Sequence, residues 1–353
     1  MKLLLLRLSS LGDVLHTLPA MSDLAVHCPD VEVDWLVEPA FAPVVAWHPN
    51  VKNAMPFSLR ALKQTPLTFP AELRQLRNTL LAKHYDAVLD SQGLYKSALL
   101  ARLAGAPVSG LAADSAREPG ASRLYQQRFT VPWSSPAIAR NRQLFAAALQ
   151  YPLPDTPPDF ALAPLRRQWQ DQSLADPLLQ WVRKPFVMGF HATSAAWKTK
   201  EWPERHWRTL ASHLCVKGLN LLLPAADERE RLRVASIQAG ADNVIALPRL
   251  NLETLAIIMS KAQAFVGMDT GLSYLGSALG LAGVTLYGPT SVEQLAHGGE
   301  QQINLQSPQS CAPCGKARCP LPEAQNGRIL CQEALEPDQV WAALSSLLES
   351  SAS

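Results

Sequence analysis

Short apolar runs alternate with amphipathic stretches from the first residues of the chain. Leu3 to Leu6 is a run of four leucines closed by Arg7. A run that short predicts a strand buried on both faces. It falls short of the roughly 7–15 apolar residues of an export signal. Ser9, Ser10 and Gly12 then supply a turn, and Val14, Leu15 and Leu18 carry a helical spacing onward. The segments "VEVDWLVE" (31–38) and "YDAVLDSQG" (85–93) read as further strands. Residues 70–84 and 97–106 place apolar positions at helical spacing.

The texture changes near 151–185. "YPLPDTPPDFALAPL" carries five prolines, which exclude a helix or a central strand and mark an inter-domain linker. "RRQWQDQSLADPLLQWVRK" is expected to follow it as a helical segment. The α/β rhythm then resumes. Strands running into loops are expected at 186–194, 219–226, 243–248, 264–271 and 283–290. Helices are expected at 203–218, 252–262 and 336–350. The halves share no residue-level repeat. Their alternation nevertheless implies two similar α/β domains facing a cleft: 1–152, a linker and helix at 153–185, 186–335, and a C-terminal helix and tail at 336–353.

Composition narrows the class. Of 353 residues, 48% are hydrophobic and 18% charged, enough for a large core. The net charge of +2, with no basic run of five or more, gives no reason to expect a nucleic-acid partner. No apolar stretch reaches the roughly 18 residues of a membrane helix, so a cytoplasmic protein is expected.

Candidate chemistry gathers in loops that follow strands. Asp13 is the only acid among the first 22 residues and falls where the first strand ends. "HATSAAWKTKEWP" (191–203) offers Thr193, Ser194, Thr199, Lys198 and Lys200 ahead of a helix, a donor set suited to phosphate. It lacks the glycines and GK[ST] of a Walker loop. "MDTGLSYLGSALG" (268–280) ends a strand at Asp269, Thr270 and Gly271 and starts a helix, so the amides of Thr270, Gly271 and Leu272 form a second anion site. "YGPT" (287–290) adds a third loop on the same edge. In the first half, Arg60, Lys63, Gln92, Lys96, Arg117, Arg123, Arg140 and Arg142 are candidates to hold an anionic acceptor. For each of them the alternative is a solvated helix face.

Six cysteines are present. Cys28 and Cys215 stand alone and read as ordinary thiols, whereas Cys311, Cys314, Cys319 and Cys331 follow a Cys-x2-Cys-x4-Cys-x11-Cys spacing. Cys-x2-Cys is the usual first half of a zinc knuckle, but the downstream spacing is irregular. A structural metal, plain thiols, and a redox or disulfide role all stay open.

Taken in order, "LLRLSSLGDVLHTLPA", "DWLVE", "YDAVLDSQGLYKSA", "AREPGAS", "HATS…K…WP", "DTGLSYL" and "LYGPT" resemble the bacterial ADP-heptose:lipopolysaccharide heptosyltransferases, from Met1 to about Glu300. The resemblance is nearest to the heptosyltransferase I branch. It implies a GT-B fold, with two Rossmann-like domains and the donor on the C-terminal one. It also implies inverting transfer of heptose from ADP-heptose to a Kdo residue of Kdo2-lipid A at the cytoplasmic face of the inner membrane. By the same resemblance the catalytic base falls on Asp13 and the phosphate-binding lysine on Lys200. Diphosphate and heptose contacts fall on Thr193, Ser194, Asp269, Thr270, Gly271 and Leu272. The ribose-binding acid falls on Glu228, with Asp227 as its alternative. On the acceptor side are Arg60, Lys63 and Arg117, joined by Gln92, Lys96 and the turn residues Ser10 and Gly12. No Asp-x-Asp metal pattern is present, so no cofactor is expected in catalysis. Tyr274 and Pro136 stand where the family usually has histidines. That leaves open another acceptor, a heptosylated core or a protein, and a non-catalytic sugar-nucleotide-binding paralogue.

Overall fold

Leu3–Leu6 are at most 1% exposed because their strand lies mid-sheet. In the computed structural model, which describes residues 1–59, 69–173, 176–296, 298–299 and 301–350, contacts group the chain into two compact units, Met1–Ala161 and Leu162–Ser353. The first contains β1 (Lys2–Leu6), β2 (Glu32–Val37), β3 (Val51–Pro56), β4 (Ala87–Asp90), β5 (Val108–Leu111) and β6 (Gln127–Phe129). They form one parallel sheet in the order β3-β2-β1-β4-β5-β6. Leu5 is in register with Trp35 on one side and Leu89 on the other. Their strands cover the edges of β1, and helices cover its faces, as where Leu4 and Leu6 pack in one cluster with Leu76, Leu80 and Ala98, which is why the run is purely apolar.

The second unit repeats this plan. It contains β7 (Phe186–Phe190), β8 (Asn220–Pro224), β9 (Val244–Leu247), β10 (Ala264–Met268), β11 (Gly283–Tyr287) and β12 (Gln302–Gln306). Their order is β12-β11-β10-β7-β8-β9, again all parallel. In each sheet the order reverses once, between β1 and β4 and between β7 and β10. Ligands of open parallel sheets bind outside the carboxyl ends of the strands at such switch points.

Some expectations need correction. The segment after Ala163 is two helices, Ala163–Asp171 and Asp176–Val182. Gln172 leaves the helical region (ψ 128°), and Pro177 cannot sit in a helix interior. The C-terminal helix Pro337–Ser350 is part of the second unit's core: Val340, Leu344 and Leu347 are buried in one cluster with Trp202, Trp207 and Leu286. β12 and β3 were not legible as strands. Both are edge strands with mixed polarity, QINLQ and VKNAMP.

Close packing at the second switch point depends on Gly267 in β10. A Cβ there would stand 2.4 Å from Ser273 Oγ. Its absence lets the helix Gly271–Ala278 lie against the strand, with Ser273 Oγ donating to the Met268 carbonyl at 2.6 Å.

Candidate functional site

The first switch point is built by the loops after β1 and β4. The short helix Leu11–Leu15 begins at Ser10, and Asp13 occupies its third position. From there the carboxylate reaches back: Asp13 Oδ2 accepts from the Ser10 N–H at 2.9 Å and from Ser10 Oγ at 3.0 Å. Arg7 Nη2 donates to Asp13 Oδ1 at 3.4 Å. Burial pushes this carboxyl up, but the Arg7 charge, the Ser10 N–H, His16 and the Ser10 hydroxyl outweigh it, holding Asp13 below its ordinary 3.8. Asp13 is therefore ionised at neutral pH. Its side chain keeps 35% of its exposure, and a carboxylate has about four lone-pair directions, of which three are used. One remains for a hydroxyl.

Arg7 also donates to the Ser91 carbonyl, and Leu8 N–H donates to Gln92 Oε1 at 2.7 Å, so the β1 and β4 loops are tied together. Behind them Asp90 is fully buried. Its Oδ1 accepts from Gln92 N–H at 2.9 Å, and Tyr125 donates to its Oδ2 at 2.7 Å. Burial raises the Asp90 pKa despite these bonds. The β4 and β5 loops are joined in turn: Tyr95 N–H donates to Glu118 Oε2 at 2.7 Å and Glu118 N–H to the Gly93 carbonyl at 3.0 Å. Lys96 and Arg117, both exposed, thus share the edge that carries Asp13, Ser10, Gly12 and Gln92.

One basic candidate belongs elsewhere. Arg142 is buried and paired with Asp23 through bonds of 2.6 and 3.0 Å, tying the helix Ala137–Leu149 to Leu18–His27. Arg140 stays near the Asp13 loops: it lies 3.6 Å from the Trp133 ring centre and donates to the Ser115 carbonyl at 2.8 Å, and burial, then the like charge of Arg7, lower its pKa. Arg60 and Lys63 lie outside the described residues.

At the second switch point the loops after β7 and β10 bring Lys200 to Asp269. Lys200 Nζ donates to Asp269 Oδ2 at 2.6 Å and to the Asp269 carbonyl at 3.3 Å, and it lies 4.7 Å from the Trp197 ring centre. The Tyr274 hydroxyl donates its single proton to Asp269 Oδ1 at 2.9 Å, and its oxygen lies 2.7 Å from the Leu295 carbonyl, which accepts from the Tyr287 hydroxyl at 2.9 Å. Burial would raise the Asp269 pKa, but the charge and hydrogen bond of Lys200, with the Tyr274 hydroxyl, hold it below 3.8. Thr270 caps the helix Gly271–Ala278 with extended backbone, and its Oγ1 is buried without a partner. Tyr274 N–H closes the first helical turn onto the Thr270 carbonyl. The amides of Gly271 and Leu272 precede it, at the positive end of the helix.

The β7 loop is braced by residues that the sequence did not single out. Glu201 accepts the Thr193 N–H at 3.2 Å and pairs with Arg229, which also donates to the Thr193 carbonyl at 2.6 Å. Arg233 donates to the His191 carbonyl at 3.1 Å. Arg229 and Arg233 are four residues apart on the helix Glu228–Gln238, and that spacing was the available signal. Thr193 Oγ1 donates to the Trp197 carbonyl at 2.8 Å, while Ser194 is exposed. Glu228 is exposed and pairs with Arg231. Asp227 caps its helix by accepting from Glu230 N–H at 2.9 Å. Thr199 does not face a phosphate site. It is buried, and its hydroxyl lies 3.2 Å from the Lys316 carbonyl.

That contact leads to the cysteines. Cys311, Cys314, Cys319 and Cys331 all line one cavity of about 230 Å³, together with Thr199 and Pro289. Burial, then the three neighbouring thiols, push Cys331 up to about 12. A cavity of about 370 Å³ lies at the starts of β2 and β3, on the edge away from the switch-point loops.

Two parallel six-stranded sheets of this order, each with polar loops at its switch point, define a glycosyltransferase of GT-B fold. Residues 73–325 match the profile of glycosyltransferase family 9 (heptosyltransferase), and the chain belongs to that family. It is 40% identical over 360 residues to lipopolysaccharide heptosyltransferase 1 of Pseudomonas aeruginosa, covering 99% of this chain and 98% of the relative. It is similar to the solved E. coli heptosyltransferase WaaC with ADP (TM-score 0.78, 34% identity, 94% of this chain and 100% of that one). WaaC with ADP-2-deoxy-2-fluoro heptose matches equally well in shape (TM-score 0.78, 32% identity, 99% of each chain).

Proposed function

We propose that this enzyme transfers heptose from ADP-heptose to a Kdo residue of the lipopolysaccharide inner core, with inversion at the anomeric carbon. In this reading the N-terminal unit takes the acceptor and the C-terminal unit the donor. Asp13 removes the proton of the acceptor hydroxyl while that oxygen attacks the anomeric carbon. The bond from that carbon to the diphosphate breaks, and ADP leaves with the electron pair. A single displacement needs one base, and an already ionised carboxylate with a free lone pair supplies it.

The departing diphosphate gathers negative charge. Lys200, the Gly271 and Leu272 amides and the Thr270 hydroxyl neutralise it, with Thr193 and Ser194 lining the other side of the donor. Lys200 is held by Asp269 and has a further N–H to give. Glu228, or Asp227 beside it, receives the ribose. Ser10, Gly12, Gln92, Lys96 and Arg117, with Arg60 and Lys63, hold the anionic acceptor. The observation that carries the reading is Asp13, a carboxylate kept ionised yet partly open at a switch point, in a chain of this family.

The acceptor is lipid-linked, so the enzyme works against the cytoplasmic face of the inner membrane. No helix among the described residues is long and apolar enough to cross a membrane. Peripheral contact is supported by the helix Tyr95–Ala101, which exposes Tyr95 (51%) and Leu99 (58%) four residues apart beside Lys96. An apolar pair with a flanking cation suits an anionic interface. The test offers ADP-heptose with either Kdo2-lipid A or an already heptosylated core to the purified enzyme. Transfer to the first is expected. Transfer only to the second reassigns the acceptor, and ADP-heptose binding without turnover on either sinks the reading.

A further inference from the structure

The transfer reaction has no use for the four cysteines between 311 and 331, and the fold explains only one of them. Cys331 is buried, as a thiol serving as a small apolar side chain would be. Cys311 is exposed, and Cys314 and Cys319 are half-buried. All four are free, and all four line the same 230 Å³ cavity although they come from positions spread over 311–331.

The segment that carries them has little else to hold it. Residues 307–321 form no helix or strand, and only short helical turns, Pro322–Asn326 and Leu330–Glu333, follow before Leu335 enters the core. Its main attachments run to the switch-point loops: Gly315 N–H donates to the Pro289 carbonyl at 2.7 Å, and Thr199 Oγ1 meets the Lys316 carbonyl at 3.2 Å. Gly315, at φ 64°, turns the chain directly after Cys314.

We propose that Cys311, Cys314, Cys319 and Cys331 together bind one thiophilic metal ion, zinc or ferrous iron, in a structural four-thiolate site. Four sulfur ligands select such ions and favour a tetrahedral shell. As they stand, the sulfurs wall the cavity without converging: no group of three or more His, Cys, Asp or Glu side chains among the described residues is arranged to hold an ion. Coordination draws them inward by χ1 rotation and contraction of the 311–319 loop. Each thiol releases its proton to solvent as its sulfur bonds the ion. The ion clasps the segment shut behind Thr199, next to Lys200. It acts on the fold and not on the sugar.

The full-length protein, expressed with zinc and iron in the medium and purified without chelator, is expected to carry about one equivalent of metal by elemental analysis. The element found identifies the ion. The double variant Cys314→Ser/Cys319→Ser should lose it, and Cys28→Ser/Cys215→Ser should keep it. Stripping the wild-type protein with a strong chelator should lower its melting temperature and open four thiols to a maleimide, and added Zn²⁺ should reverse both changes. This second arm needs no variant to fold. Metal-free protein that ignores added Zn²⁺ and Fe²⁺, metal retained by Cys314→Ser/Cys319→Ser, or a disulfide between any two of the four would overturn the proposal.

Discussion

Lys200 Nζ stands 2.6 Å from Asp269 Oδ2, and the lysine and carboxylate come from the loops after the two strands that flank the second switch point. Both side chains are largely buried. The pair welds the β7 loop to the start of the helix Gly271–Ala278 and fixes an ammonium beside free helix amides.

Removing one partner of such a pair strands the other charge. Lys200→Met leaves the Asp269 carboxylate buried without its cation, at a cost of about 3–5 kcal/mol in stability. It also removes a cation held at the proposed diphosphate site, so ADP affinity should fall at least about tenfold, within the range for charge-assisted hydrogen bonds. Calorimetric titration with ADP, paired with a urea melt, separates these effects. A folded Lys200→Met protein with unchanged ADP affinity removes Lys200 from the donor site.

Tyr274 supports the same carboxylate. Tyr274→Phe deletes the donor to Asp269 Oδ1, leaving that buried acceptor short of a partner at about 1–3 kcal/mol. Stability should fall and the KM for the donor rise, while kcat holds. An unchanged KM for the donor would confine Tyr274 to packing.

Asp13 carries a prediction about pH. Its pKa in the free enzyme lies below 3.8 because Arg7, the Ser10 N–H, His16 and the Ser10 hydroxyl overcome burial. The base is therefore still ionised when pH falls from 7 to 5, and kcat/KM should show no acid limb from Asp13 in that range. Arg7→Met removes the largest lowering influence and should move the limb upward. Asp13→Asn should cut kcat by about 10²–10⁴ with ADP binding intact. An acid limb between pH 5 and 7 that vanishes in Asp13→Asn would contradict the assigned environment.

What the sequence displays is uneven for a physical reason. Central strands such as Leu3–Leu6 and Ala264–Met268 are buried on both faces, so their composition alone marks them. Gln127–Phe129 and Gln302–Gln306 sit at sheet edges, where half the surface meets water and the apolar signal fades. Asp13, Lys200 and Asp269 stood out because each interrupts a strand-to-helix turn with a charge. Arg7, Glu201, Arg229 and Arg233 did not. Their importance lies in bonds to loops that only the folded sheet brings near, as when Arg7 reaches Ser91 across 84 residues.

The exposed pair on the helix Tyr95–Ala101 makes the membrane contact testable. Leu99 is 58% exposed and makes no core contribution to lose. Leu99→Glu should therefore leave the fold and the ADP affinity unchanged while weakening binding to vesicles with anionic headgroups, where an apolar contact becomes a repelled charge. Co-sedimentation with such vesicles reads the effect. Equal sedimentation of Leu99→Glu and the wild type would move the contact to another surface.

Burial lowers the pKa of three buried histidines, His48, His191 and His206, and so sets how the fold meets acid; the first two carry the large shifts. His48 is 1% exposed, and its Nδ1 accepts from the Asn50 N–H at 3.3 Å, leaving Nε2 to donate to Ser22 Oγ at 3.0 Å. His191 donates Nε2–H to the Pro224 carbonyl at 2.9 Å, with Nδ1 buried and unpartnered near Arg233 and Arg229. Burial first, and for His191 the two arginines as well, lower both pKa values from 6.5 to about 4. Between those values the unfolded chain takes up protons that the folded chain refuses. Stability is thus full above pH 6.5 and drains as pH falls toward 4, by about 1.4 kcal/mol per pH unit for each group that differs fully. Urea unfolding at pH 7.5, 6 and 5 should trace this decline, and it should begin well above the carboxylate range. Replacing His48 and His191 with glutamine, whose amide does not titrate, should make the curve shallower between pH 7 and 5 even if it lowers it overall, with the His206 contribution left in place. A slope in that window left undiminished by both substitutions would mean that other groups bind the protons.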